Sequence, residues 1–212
     1  DELMMDENVK MCIRHLIALD SLNMLIVGNA ASGKTTLIKM ILNEYYGNSQ
    51  SSQNISSSSS SSKDNVLYIN SAKEQGINYC RTEVKTFCET FSTIPHKKKI
   101  VIVDDINQLS DQIQQIFRFY MDHYKSNVHF ICSCTSMQKV IENLQSRLTI
   151  LHKHSFHKDQ LREILHHVVE QEHLTMEPSA EEFVLQMCNG TIKILMNYLQ
   201  LFFCFGFVFC FR

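Results

Sequence analysis

The stretch Gly28-Asn29-Ala30-Ala31-Ser32-Gly33-Lys34-Thr35 sets its glycines at the ends of a short loop and follows the second with a lysine and a hydroxyl residue. Glycines so placed let consecutive backbone N–H groups turn inward around an anion. Lys34 would then reach the β and γ oxygens of a nucleoside triphosphate such as ATP. Thr35 would ligate Mg²⁺, with Thr36 beside it, and the positive end of the helix that follows adds to the field. A second acidic element matches it. The apolar run Ile100 to Val103 ends in Asp104 and Asp105, where a carboxylate at the C-terminal end of a central strand faces the nucleotide crevice and Asp104 could hold the Mg²⁺ through water. A chance glycine turn and a solvated strand end are the bland alternatives.

Chemistry of this kind needs a frame, and the apolar spacing predicts one. Val9, Cys12, Ile13, Leu16 and Ile17 recur at helical spacing, and Asn23 to Val27 reads as a short buried strand. Leu37, Met40, Ile41 and Tyr45 mark one face of a helix over Lys34 to Tyr46. Further strands are expected at Val66 to Ile69, Lys99 to Val103, Val128 to Cys132 and Thr149 to Leu151, with helices at Asn78 to Phe91 and Asp111 to Tyr124. The β-branched run at 100–103 is that of a strand covered on both faces. This alternation predicts an α/β fold with a parallel, doubly wound sheet. From Lys158 onward the pattern is helical, with helices to about His173 and from Ser179 to Cys188, as a small lid would be. Residues 49–63 collapse into serine, glutamine and asparagine, a composition that reads as a flexible surface insertion.

Composition narrows the class. A chain of 212 residues suits one medium core and a small satellite, and its hydrophobic fraction of 44% is ample for burial. The formal charge of −2 argues against an autonomous DNA-binding module. The eight cysteines include no C-x-x-C pair, which points to reduced thiols and not to a zinc site or disulfide framework. The acidic opening, Asp1-Glu2, is unlike a signal peptide, and the apolar run Leu201 to Phe211 falls short of the roughly 20 residues that span a bilayer. An intracellular protein with no membrane span is expected. His152, His154 and His157 cluster without a carboxylate or cysteine at ligand spacing, so surface histidines are expected there.

Other segments carry a family resemblance. Tyr68-Ile69-Asn70-Ser71-Ala72-Lys73-Glu74-Gln75-Gly76-Ile77 resembles the clamp-loader segment "ELNASDERGI", and Gln114-Gln115 with Arg118 resembles "QQALRR". Gln145-Ser146-Arg147 resembles "SRC", Gly190-Thr191-Ile192-Lys193 stands where "GDMR" does, and Asn197-Tyr198-Leu199 where "NNL" does. On these motifs the chain resembles the small subunits of replication factor C, the sliding-clamp loader of the AAA+ class. The resemblance covers about Asp6 to Gln200 and implies a core over residues 1–153, a helical lid over 154–200 and a collar domain that is missing, while the apolar tail over 201–212 has no role in it.

The same resemblance implies roles. Thr135 falls at sensor 1, Lys193 at sensor 2 and Arg147 on an arginine finger that acts on a neighbouring subunit. Arg81, Lys85 and Arg118 fall at positions facing duplex DNA. ATP and Mg²⁺ are the implied cofactors, and other loader subunits, the sliding clamp and primer-template DNA the implied partners, in the nucleus or a viral replication compartment. Asp105 replaces the family's Glu and is one methylene shorter, Lys193 replaces an Arg, and Leu148 replaces the Cys of "SRC". Binding should therefore persist while hydrolysis weakens. A clamp-loader ATPase subunit, a nonhydrolysing scaffold subunit of the same ring, and another P-loop NTPase are the readings the sequence leaves. Chain order suggests that Arg147 lies at the far end of the sheet from the P-loop helix.

Overall fold

The computed structural model describes residues 7–47, 64–71, 76–172 and 176–205. The serine-rich insertion, residues 72–75 of the "ELNASDERGI" resemblance, and the end of the apolar tail lie outside the described residues. Contacts group the chain into two units, one holding Met5–Gly28 with Lys34–His152, the other holding Asn29–Gly33 with Lys153–Arg212.

The larger unit is built on five parallel strands: β1 (Met24–Val27), β2 (Val66–Asn70), β3 (Lys99–Asp104), β4 (Val128–Cys134) and β5 (Thr149–His152). Their order in the sheet is β2-β3-β4-β1-β5. Strands β3 and β4 are buried along nearly their whole length, as a sheet covered on both faces requires. Alternation divides their side chains between two cores. Ile26, Ile100, Ile102 and Ile131 pack with Ile13 of α1 (Glu7–Ala18) and with Leu37, Ile38, Ile41 and Tyr45 of α2 (Lys34–Tyr46). Ile38 is buried there where the spacing had suggested Met40, because the stripe that meets the sheet is wider than a single row of side chains.

Leu25, Val101, Val103, Phe130, Cys132 and Cys134 point the other way. They meet α3, whose contiguous pieces are Ile77–Tyr79, Cys80–Val84 and Lys85–Glu89, the middle one wound as a π-helix. They also meet Ile113, Phe117, Tyr120 and Met121 of α4 (Asp111–His123) and Leu144 of α5 (Glu142–Gln145).

The order corrects one expectation about Arg147. Strand β5 is hydrogen-bonded to β1, with Met24 opposite Thr149 and Val27 opposite His152, so Arg147 is not remote across the sheet from the P-loop strand. It lies instead at the opposite end along the strands. Chain order cannot reveal which strands become neighbours, since pairing is decided by crossovers.

The helical unit contains α6 (Lys158–Gln171), α7 (Pro178–Cys188) and α8 (Ile192–Phe205). Phe156, Leu161, Leu165, Val184, Leu185, Cys188, Leu195 and Leu199 form its core. Gln160 accepts the N–H of His157 at 3.1 Å and so caps α6, whereas α7 opens on Pro178 without a side-chain cap. Helix α8 runs through residue 205, into the run that the sequence presents as an apolar tail.

Candidate functional site

Because all strands are parallel, the residues that follow β1, β3 and β4 emerge at one edge of the sheet. That edge gathers Gly28, Asp104, Asp105 and Thr135. The phosphate loop leaves β1 at Gly28, whose N–H donates to Cys134 O at 3.1 Å, and re-enters regular structure at Lys34. Within it Ala31 has φ 58° and Gly33 φ 91°, left-handed conformations that turn the chain sharply before the helix. The Lys34 ammonium donates to Gly28 O at 2.9 Å, joining the two ends of the loop. Thr35 and Thr36 follow in the first turn of α2, with Asn29, Ala30 and Ala31 exposed.

Bound ATP with Mg²⁺ fits these residues on one observation in particular. Ser32 is 2% exposed, yet its buried hydroxyl has no hydrogen-bond partner. A buried polar group left unpaired costs about 1–3 kcal/mol, and a phosphate oxygen arriving in the loop would satisfy it.

Asp104 ends β3 on the sheet face that α2 covers, since Ile100 and Ile102 precede it at alternate positions. Ser133 lies on the same face of β4, two residues beyond Ile131, and its hydroxyl donates to Asp104 Oδ1 at 2.5 Å. The Ser133 oxygen also accepts the Asp105 N–H at 2.9 Å. Tyr68 of β2 donates to Asp104 Oδ2 at 2.5 Å. Neither residue was identified as a site residue from the sequence, where Ser133 looks like filler between two cysteines. The available signal was its parity with Ile131 in a strand otherwise buried on both sides.

Asp105 adopts φ 53° and ψ 51°, the left-handed region that a short polar side chain tolerates best. Gln108 donates to its Oδ2 at 3.4 Å. Thr135, immediately after β4, is held on both sides by Asn107, which accepts its N–H at 3.0 Å and donates to its hydroxyl at 3.2 Å. Asn107 was also missed. Burial pushes the Cys134 thiol up to about 11, although the Lys34 charge pulls the other way, so this strand end carries a protonated thiol.

The remaining candidates of the larger unit are not brought to this edge. Arg147 precedes β5 at the N-terminal edge, where it donates to Asp122 Oδ1 at 2.7 Å and to Asn143 O at 2.6 Å. Arg81 and Lys85 are exposed on α3, and Lys85 pairs with Glu89 at 3.7 Å. Arg118 on α4 has a buried Nε without a partner. Lys193 is exposed in the first turn of α8, in the helical unit. Gln114 proves to be structural: fully buried, it donates to Leu109 O and Lys139 O, each at 3.0 Å, and accepts the Ile141 N–H at 2.9 Å. Gln145 reinforces the same loop through Met137 O at 3.1 Å and Val140 O at 2.7 Å.

The sequence pattern of the ATPase family associated with various cellular activities, AAA for short, matches residues 24–155. The chain belongs to this family. Among curated relatives it is 27% identical over 202 residues to the replication factor C small subunit 2 of Pyrobaculum islandicum, covering 95% of this chain and 59% of that protein. It is 28% identical over 178 residues to the replication factor C small subunit of Methanococcus vannielii, covering 84% and 53%. Against the Pyrococcus furiosus small subunit it is 31% identical over 138 residues, 65% of this chain and 16% of the other. The chain thus spans less than two thirds of each of these relatives. Among solved structures, the Thermotoga maritima RuvB Holliday junction branch migration motor matches with a TM-score of 0.65 at 14% identity, over 91% of this chain and 60% of that one. At that identity the match speaks for the AAA+ fold alone. Among the described residues no helix is long and apolar enough to cross a membrane.

Proposed function

We propose that this AAA chain is an ATP-binding subunit of a DNA sliding-clamp loader, which uses ATP to load the clamp at primer-template junctions during replication. The observation that carries the reading is the phosphate loop whose lysine-bearing helix starts at the same sheet edge as Asp104 and Thr135, in a chain similar to replication factor C small subunits. In this reading Gly28 to Thr36 hold the phosphates, with Lys34 on the β and γ oxygens. Thr35 and Asp104 hold Mg²⁺, which supplies charge neutralisation on the phosphates. Thr135 orients the attacking water beside Asp105, and Lys193 acts from the lid, taken as residues 154–200 after a core of 1–153.

Arg147 serves a neighbour. Strands β1 and β5 are four residues long, so the edge that carries Arg147 lies about 13 Å from the phosphate edge at ~3.3 Å per residue. That separation supports action on the nucleotide of an adjacent subunit in a ring with other loader subunits, the clamp and duplex DNA, the last reached by Arg81, Lys85 and Arg118. Work on replicating DNA implies an intracellular setting, and the nucleus or a viral replication compartment is the one proposed with it.

A second reading, a scaffold subunit that binds ATP without hydrolysing it, is favoured by Asp105, whose short carboxylate sits on left-handed backbone with Gln108 at 3.4 Å. Both readings require nucleotide binding. Lys34→Ala should abolish it in a fluorescent-nucleotide titration, and an unchanged affinity would remove the proposal. Co-elution with candidate loader subunits in gel filtration, and steady-state turnover of that assembly, then separates loader from scaffold.

A further inference from the structure

The two hydroxyls on Asp104 are held very differently. Ser133 is fully buried in the middle of the sheet and is tied a second time to the Asp105 N–H. Tyr68 stands on β2, the edge strand, and is 43% exposed. The register explains its reach. Tyr68 is opposite Ile102 and Asn70 opposite Asp104, so Tyr68 shares the α2 face with Asp104 on a diagonal that a long side chain spans. A neutral phenol offers its O–H to a carboxylate, and with an ordinary pKa of about 10 it is a donor at any neutral working pH. A family segment beginning with Glu, as in "ELNASDERGI", would present no such donor there.

A metal held through its hydration shell also approaches a carboxylate with O–H donors. We propose that the Tyr68 phenol competes with Mg²⁺-bound water for Oδ2 of Asp104, and thereby sets how much Mg²⁺ the nucleotide site requires. The inference rests on the nucleotide reading above. Ser133 fixes the carboxylate through Oδ1 in either state, while Tyr68 gives way to solvent when the metal arrives. Tyr68 is thus a positioning residue, and its effect falls on metal affinity and not on the phosphate loop.

The test is a Mg²⁺ titration of the full chain at a fixed concentration of fluorescent ATP analogue, for wild type and Tyr68→Phe. The variant should reach half-saturation at about three- to tenfold less Mg²⁺, the scale of one ordinary hydrogen bond from a half-exposed phenol relieved of competition. Its nucleotide affinity in EDTA should match wild type within about twofold. Adding Mg²⁺ to the wild-type nucleotide complex should also change tyrosine absorbance as the phenol leaves the carboxylate, and Tyr68→Phe should lack that change. An equal or higher Mg²⁺ requirement in the variant, or an equal shift in the EDTA affinity, overturns the inference while leaving nucleotide binding intact. A wild type that binds no nucleotide with or without Mg²⁺ overturns the functional reading and the inference with it. Should the variant fail to fold, the wild-type difference spectrum decides, and its absence counts against the proposal.

Discussion

Replacing Gln114 by leucine removes a nearly isosteric side chain whose polar end joins the loops after β3 and β4. Gln114 is 0% exposed and is bonded to Leu109 O, Lys139 O and the Ile141 N–H at 2.9–3.0 Å. Leucine satisfies none of these groups. Each buried unpaired group costs about 1–3 kcal/mol, and because water can reach part of these bonds the low end applies, giving roughly 3 kcal/mol in all. The added apolar burial returns about 0.5–1 kcal/mol, so the net loss is about 2–2.5 kcal/mol. Urea denaturation followed by circular dichroism should register this as a lower midpoint at unchanged slope, with a fall in melting temperature of roughly 5–10 °C. Amide exchange should quicken at Ile141 before it does in β3, because the lost bonds pin the loop and not the strand. Gln114→Glu adds an independent check, since it keeps the acceptor for Ile141 while burying a charge, and should be at least as damaging. A loss below about 0.5 kcal/mol in the leucine variant would refute the assignment of Gln114 as a joint.

The backbone at Asp105, with φ 53°, makes Asp105→Glu cost about 1 kcal/mol in thermal denaturation, while Asp105→Asn stays within about 0.5 kcal/mol; equal losses would sink the argument. Gly190 has φ 77° and an added Cβ would lie 2.9 Å from Ser155 Cβ and 3.2 Å from Phe156 O, so Gly190→Ala should destabilise the helical unit by about 2–4 kcal/mol, read by proteolysis or exchange in α6 to α8. Acid should weaken the larger unit through Asp20. Burial raises its pKa, but hydrogen bonds from Lys98, His129 and Tyr45 outweigh that and hold it at about 2, below its usual 3.8. Burial likewise lowers His129 despite its bond to Asp20. Both folded-state values lie below the unfolded ones, so both contributions are present above the ordinary pKa and are lost as pH falls, His129 first from about 6.5 and Asp20 between about 4 and 2. With the Asp20 side chain 47% exposed the Asp20 share is about 1 kcal/mol after screening, and Asp20→Asn, which also tolerates the φ of 47°, should flatten stability against pH in that lower window.

What the amino-acid order determines by itself is whatever lies close along the chain. The proposed phosphate loop is legible because Gly28, Gly33, Lys34 and Thr35 stand together within one strand-to-helix turn. Asp104 is legible because it closes a run, Ile100 to Val103, that only a doubly covered strand would carry. The α/β alternation follows from the same local periodicities, and the core of β3 and α2 with it. Tertiary structure alone decided the rest, because the partners are far apart in sequence and their meeting depends on strand order and register. Ser133 and Tyr68 are 29 and 36 residues from Asp104, and both reach it because β4 and β2 flank β3. Asn107 and Thr135 are 28 apart and meet as loops leaving adjacent strands. The same pairing rule puts Arg147 beside β1 in the sheet yet at its opposite edge, since parallel strands send their ends to opposite sides whatever the order in which the chain visits them.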